Sequence, residues 1–477
     1  MRKILMCCIV PLLLMAGCTK LPGPSSAIPA NWEPAHDDRD IPIGSATPQI
    51  SEQMPAVGVK NVVVVAIDWE GRHETDPALL ERQIFSTDHY SLRSYILAAS
   101  GGKLILTGKV ITYVSKEPRP EFCDRTTYPF SLAVQEGNKG VLANGIDPKS
   151  IDYQINILPC GGFGSAWGRD MAVYGQPLGT YIFWHEFGHS LYNNHGYTYS
   201  NCPKAGNTVT APVGCEIVDY GDTGNPVGGG DFLPGAKARY FSGWLDGTQF
   251  GHIQKSGLYR LGVLGKNGPQ GYRIARTGLT PAEIVMDYRQ PGPYDLFSAS
   301  DNRANGVWLR YSTKTGALST TQIDGTPETP TTPSKPSLDP TFLPGKMFKD
   351  SETGITVVTC TTSNTGATIA VAVNGEAVPN CTAPILLPGI QLPAAGAPPA
   401  QNPIIFSGTS RPGALINVSY RLAGGNNWKD VKVIADATGQ WQATLPDLPA
   451  ANYNGQVWQT MGNTASLANF RNFGVAP

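Results

Sequence analysis

An α+β domain built on a mixed sheet and one apolar helix, followed by all-β sandwich domains, is the architecture this 477-residue sequence predicts. Three observations lead there. The β-branched run Val62-Val63-Val64-Val65-Ala66-Ile67 and a helical pattern after it precede an apolar helix that carries clustered histidines. Beyond Leu245 the pattern changes to short alternating strands separated by Gly and Pro. The 54 glycines and 40 prolines, against only 15% charged residues, suit a loop-rich, β-rich secreted chain better than a helical one.

Met1-Arg2-Lys3 is a short basic start, and the apolar run from Ile4 to Met15 is too short to span a bilayer in a mature protein, so residues 1–17 read as a secretory signal. Its end, Leu14-Met15-Ala16-Gly17-Cys18, resembles a bacterial lipobox. That resemblance implies cleavage before Cys18, acylation of that cysteine and, with Thr19 following, an outer membrane lipoprotein facing the periplasm or the cell surface. Residues 18–55, rich in Pro, Ser and Ala with the acidic cluster Asp37-Asp38-Arg39-Asp40, read as a tether. Loss of Arg2 and Lys3 takes the formal charge from −1 to −3, and without a basic patch a nucleic-acid partner is not expected.

Six cysteines remain in the mature chain: Cys123, Cys160, Cys202, Cys215, Cys360 and Cys381. An even count in an exported chain suggests disulfides, and no CxxC spacing supports a cysteine–zinc site. Of about fifteen possible pairings, proximity favours Cys123 with Cys160, Cys202 with Cys215 and Cys360 with Cys381.

Within residues 56–248 the run at Val62 reads as a strand buried on both faces, and Asp76 to Ala99 as helix stopped by Gly101-Gly102 before the strand at Leu104. Asp152 to Leu158 is a further strand. The glycine-rich Cys160 to Gly168 after it lacks GxGxxG, which disfavours a phosphate cradle. Thr180 is a candidate N-cap for a helix that Ile182, Phe183, Trp184, Phe187 and Leu191 make apolar nearly all round.

That helix reads His185-Glu186-Phe187-Gly188-His189, with His195 six residues further on. Residues four apart share a helix face, so His185 and His189 can offer two imidazoles to one tetrahedral Zn²⁺, and Glu186 can serve as general base on a zinc-bound water. His195 completes the set only if the chain turns back, a turn that Gly196 and Asn193-Asn194 tolerate. Core histidines on an amphipathic helix are the competing reading.

The run resembles the metzincin pattern HExxHxxGxxH and, within that clan, the gametolysin-type zinc metallopeptidases. Tyr220-Gly221-Asp222, Phe241 to Leu245 and Ser94 to Val110 carry the likeness further, over about residues 57–375. The resemblance implies a metzincin-like catalytic domain at 56–248, with the glycine-rich segment before the helix walling a cleft in which an edge strand holds an extended peptide. Tyr192 stands where the family has glycine, and Val227 where it has the methionine of a turn beneath the metal. A failed approach by His195 would leave Glu216 or Asp219 as the nearest acidic ligand. Asp219, Asp222 and Asp231 are candidate ligands for a Ca²⁺ ion, without EF-hand spacing.

Residues 249–378 read as a β-sandwich domain, with Arg289 and Asp295 in structural or solvated roles, and 379–403 as a Pro- and Ala-rich linker. Residues 404–477 are similar to bacterial Ig-like repeats, with Trp428, Trp441 and Trp458 as core or sugar-stacking residues. The combined expectation is a zinc endopeptidase acting on extracellular or cell-surface proteins or glycoproteins, in an oligomeric state the sequence leaves open. The alternative is a surface adhesin or glycan-binding lipoprotein with a degenerate peptidase domain.

Overall fold

The computed structural model describes residues 56–477, apart from 125, 176–178, 231, 315, 330–336, 383–384 and 463. The expected signal peptide, the tether, Cys18 and the calcium candidate Asp231 lie outside the described residues.

The valine run forms β1 (Gly58–Trp69). The single helix expected next is two, α1 (Pro77–Phe85) and α2 (Leu92–Ala99). Between them Ser91 caps the second by accepting from the Ser94 amide, as Asp76 caps the first. Then come β2 (Leu104–Ser115), α3 (Phe130–Ala143), β3 (Tyr153–Leu158), β4 (Phe163–Trp167) and β5 (Asp170–Tyr174). These strands make one sheet in the order β2-β1-β3-β5-β4, parallel except for β4, which runs antiparallel to β5 and forms an edge. Strand alternation divides β1 as expected. Val62, Val64 and Ala66 enter a core with α1, α2 and the histidine-bearing helix, whereas Val63, Val65 and Ile67 pack against α3.

The histidine-bearing helix is α4 (Tyr181–Ser190), followed by β6 (Asn193–Ser200), β7 (Lys204–Ala205), β8 (Thr208–Ala211), β9 (Glu216–Val218) and α5 (Ala236–Phe241). Next come β10 (Phe250–His252), β11 (Gly257–Gly262), β12 (Gly271–Ala275), β13 (Glu283–Tyr288), β14 (Val307–Ser312) and β15 (Leu318–Ile323). This part of the chain closes with β16 (Met347–Asp350), β17 (Thr356–Ser363) and β18 (Gly366–Ala372).

Here the predicted fold class is corrected. The chain is mostly β, with several sheets, and is not an α+β metzincin-like domain followed by separate sandwiches. A seven-stranded sheet runs β10-β12-β13-β14-β15-β6-β9 and a six-stranded one β11-β18-β17-β16-β8-β7, so strands from both sides of residue 248 share each sheet. The two sheets enclose a core that includes Tyr272, Met286, Leu309 and Ile323 from one and Val209, Phe348, Val357 and Ile369 from the other. The cause is non-local parallel pairing: Leu318 aligns with Asn193 and Met347 with Thr208. A reading based on local periodicity sees strands but not partners so far along the chain.

The final sandwich sets β19 (Gly389–Leu392), β20 (Ile405–Thr409) and β23 (Gln440–Thr444) against β21 (Leu415–Leu422), β22 (Lys429–Ile434), β24 (Ala451–Met461), β25 (Thr464–Ala465) and β26 (Asn469–Val475). Its strand β19 comes from the stretch expected to be linker, pairing with β20. Trp441 lies in this core, while Trp428 is half-buried beneath the guanidinium of Arg421 and Trp458 is half-buried on β24.

All three expected disulfides form: Cys123–Cys160, Cys202–Cys215 and Cys360–Cys381. They fit a protein of an oxidising, non-cytoplasmic compartment. Among the described residues no helix is long and apolar enough to cross a membrane.

Candidate metal centre

Helix α4 crosses the interior with Ile182, Phe183, Trp184, Phe187 and both of its histidines buried. Thr180 stands at its N-cap but makes no side-chain cap bond. His185, His189 and His195 are all buried, and one ring nitrogen from each lies within 4.8 Å of the others. Among the described residues this is the one group of three or more His, Cys, Asp or Glu side chains close enough to share an ion.

The backbone sets the tautomers. His185 Nδ1 is 2.8 Å from the carbonyl of Pro226, and His189 Nδ1 is 2.6 Å from that of Asn193. A carbonyl only accepts, so each Nδ1 carries the proton and each Nε2 presents a lone pair. The two Nε2 atoms lie 3.1 Å apart. Two lone pairs facing each other at that distance repel, and a shared cation turns the repulsion into attraction. Ligands at the usual Zn–N distance of about 2.0–2.1 Å sit roughly 3.3 Å apart in a tetrahedron, so the His185–His189 pair fits the ion, and the His195 nitrogen lies within 4.8 Å of both.

His195 reaches the other two because the chain reverses immediately after α4. Tyr192 adopts φ of 60°, the left-handed conformation that the motif's glycine would supply. Its ring packs with Ala238, Phe241 and Leu318 and meets the edge of Trp167 at 5.7 Å, so contacts of the larger side chain offset the backbone strain. The fallback acids are not drawn in. Glu216 is exposed on β9 and accepts from Asn201, while Asp219 accepts from the Tyr220 amide.

Glu186 is fully buried, its carboxylate lying against β4. A Cβ built on Gly164 would sit 2.2 Å from Glu186 Oε1, so the edge strand approaches the acid this closely only with glycine there. Sequence reasoning saw the glycine-rich stretch but missed this contact. Val227 lies beneath the helix, where a Cβ on Gly188 would come within 2.4 Å of its side chain. A small cavity remains around it, lined in part by Tyr95, Trp184, Leu191 and Trp244. Val227→Met is therefore expected to fill this space and raise stability by about 1 kcal/mol, measured by thermal or urea unfolding. A lower midpoint would show that the cavity does not admit the longer side chain.

Asp222, a calcium candidate in the sequence, is engaged by an arginine. It is fully buried and held bidentately by Arg310, with Nε to Oδ2 at 2.6 Å and Nη2 to Oδ1 at 3.0 Å. Arg310 also reaches Asp287 at 3.3 Å, and Arg289 joins Asp287 at 3.1 Å and Asp295 at 3.5 Å. Burial alone would lower the Arg310 pKa, but Asp222 and Asp287 outweigh it and hold it above the usual value. Burial likewise works against the Asp287 charge, yet Arg289 and Arg310 keep its pKa low, whereas burial prevails at Asp295 and raises it. Arg289 and Asp295 thus serve structure, in a buried network rather than a solvated one.

No protein-family model matches the chain, and no curated protein is similar to it. Among solved structures, the extracellular domain of BT3049 from B. thetaiotaomicron, described as a hybrid two component system, shares 13% identity over 37% of this chain and 26% of its own, with a TM-score of 0.14. The extracellular domain of BT4673 from the same organism, described as a one component system, shares 12% identity over 41% of this chain and 27% of its own, with a TM-score of 0.13. The chain spans about a quarter of each, and likeness at this level carries no argument about fold or function.

Proposed function

We propose that this protein is a zinc-dependent endopeptidase, with His185, His189 and His195 holding the ion and Glu186 acting as general base. The observation that carries the reading is the convergence of three buried imidazoles beside a buried glutamate. Two of the rings are already fixed in the ligating tautomer by main-chain carbonyls. When bound, zinc supplies a Lewis acid for a polarised carbonyl. Glu186 takes the proton of the attacking water at its carboxylate and returns it to the departing amine. The sheet edge at β4, pressed against Glu186 through Gly164, offers main-chain groups to pair with an extended peptide, which favours a peptide bond as the target.

In this reading the substrates are extracellular or cell-surface proteins, and acylated Cys18 attaches the enzyme to the outer membrane. The gametolysin-like motif supports the chemistry only. The test pairs zinc analysis of the purified chain with hydrolysis of an unfolded protein substrate. One zinc per chain is expected, with hydrolysis lost on chelation and restored by zinc. Chelator-resistant cleavage, or protein purified without metal that gains no activity from added zinc, would remove the proposal.

A further inference from the structure

Tyr220 was part of the sequence pattern but received no role in it. In the structure its hydroxyl lies 2.8 Å from His195 Nε2. Its ring packs on His195 with centroids 4.0 Å apart and stacks on His185 at 6.0 Å and 18°. The residue is 7% exposed and adopts φ of 54°, an uncommon conformation for a bulky side chain that persists only where its surroundings enforce it.

Those surroundings are visible. The Gly221 amide donates to Val218, and the Asp222 amide donates to the carbonyl of Gly196, next to His195. The Asp222 carboxylate is clamped by Arg310. The strained tyrosine is therefore held between anchors on β9, on β6 and on the buried ion network, and its phenol is delivered to Nε2 of His195, in a ring that packs beside those of His185 and His189.

From this we infer that Tyr220 is a fourth protein donor to the ion held by His185, His189 and His195, its phenol oxygen entering the coordination sphere. The inference rests on the zinc-site reading above. A cation at His195 Nε2 and an O–H···N bond to that nitrogen exclude each other, since both use one lone pair. The phenol oxygen stands within the spacing expected of two ligands on one ion, roughly 3.3 Å for a tetrahedron and less for higher coordination. On binding, the O–H bond breaks, its electron pair goes to the ion and the proton leaves to solvent.

Copper(II) titration of the metal-stripped full chain tests this, because a copper-bound phenolate has a ligand-to-metal charge-transfer absorption that imidazole ligands lack. Wild type is expected to bind one copper and show the band, as is Tyr192→Phe, which alters a neighbouring tyrosine. Tyr220→Phe is expected to bind one copper through the histidines and lose the band. A band that persists in Tyr220→Phe, or wild type that binds copper without one, overturns the inference and leaves the three-histidine site standing. Protein that binds neither copper nor zinc overturns both. If Tyr220→Phe does not fold, the wild-type spectrum still decides, since bound copper without the band is sufficient to reject a tyrosine donor.

Discussion

Glu186→Gln is expected to lower kcat roughly 10²–10⁴-fold while the chain keeps its zinc and its fold. Glutamine has nearly the same shape, and the contact with Gly164 asks for that shape rather than for charge. What disappears is a carboxylate able to accept the proton of the attacking water. The three histidines are untouched, so metal content separates loss of the base from loss of the site. Turnover of an unfolded protein substrate, measured beside zinc content, checks both. A variant with more than a tenth of wild-type turnover would exclude Glu186 as the base.

The second large effect concerns stability. Asp222→Ala leaves Arg310 buried and deprived of its bidentate partner, with only the 3.3 Å contact to Asp287 remaining. Removing one member of a buried ion pair typically costs about 3–5 kcal/mol, because the remaining charge stays desolvated. Urea unfolding is expected to show that loss. A second substitution, Arg310→Met, is expected to recover part of it by removing the stranded charge. A loss below about 1 kcal/mol in the single variant would mean that water or Asp287 compensates Arg310, contrary to the burial seen.

The legible part of the site is the local part. His185, Glu186 and His189 could be placed because one helical turn decides their relation, and His195 because a reversal was the way to bring it back. Tyr192 shows the limit of such reading. A residue that breaks the motif on paper adopts the motif's backbone conformation and gains ring contacts from Leu318 and Phe241. Tyr220 was visible in the sequence too, but its reach to His195 depends on a turn whose anchor, Arg310, lies on β14.

The fold divides the same way. β1 announced itself through its valines, and all three disulfides followed from nearness along the chain. Helix α3, with Gly137 and Gly140 inside it, was missed because those glycines disguise a helical pattern, although both lie buried against neighbouring strands and side chains. The shared sheets were missed because a short strand such as β8 says nothing of which distant segment completes it.

The parallel ladder between β6 and β15 carries a practical lesson for anyone wishing to trim this molecule. His195 rides on β6, and the Tyr192 carbonyl that opens its approach accepts from the amide of Leu318. A fragment ending at the apparent boundary near residue 248 would retain His185, His189 and His195, yet forfeit the neighbour that steadies the third. Shortened expression versions must therefore extend through Ile323 at the least, and the natural seam for shuffling or fusion lies well downstream of the motif.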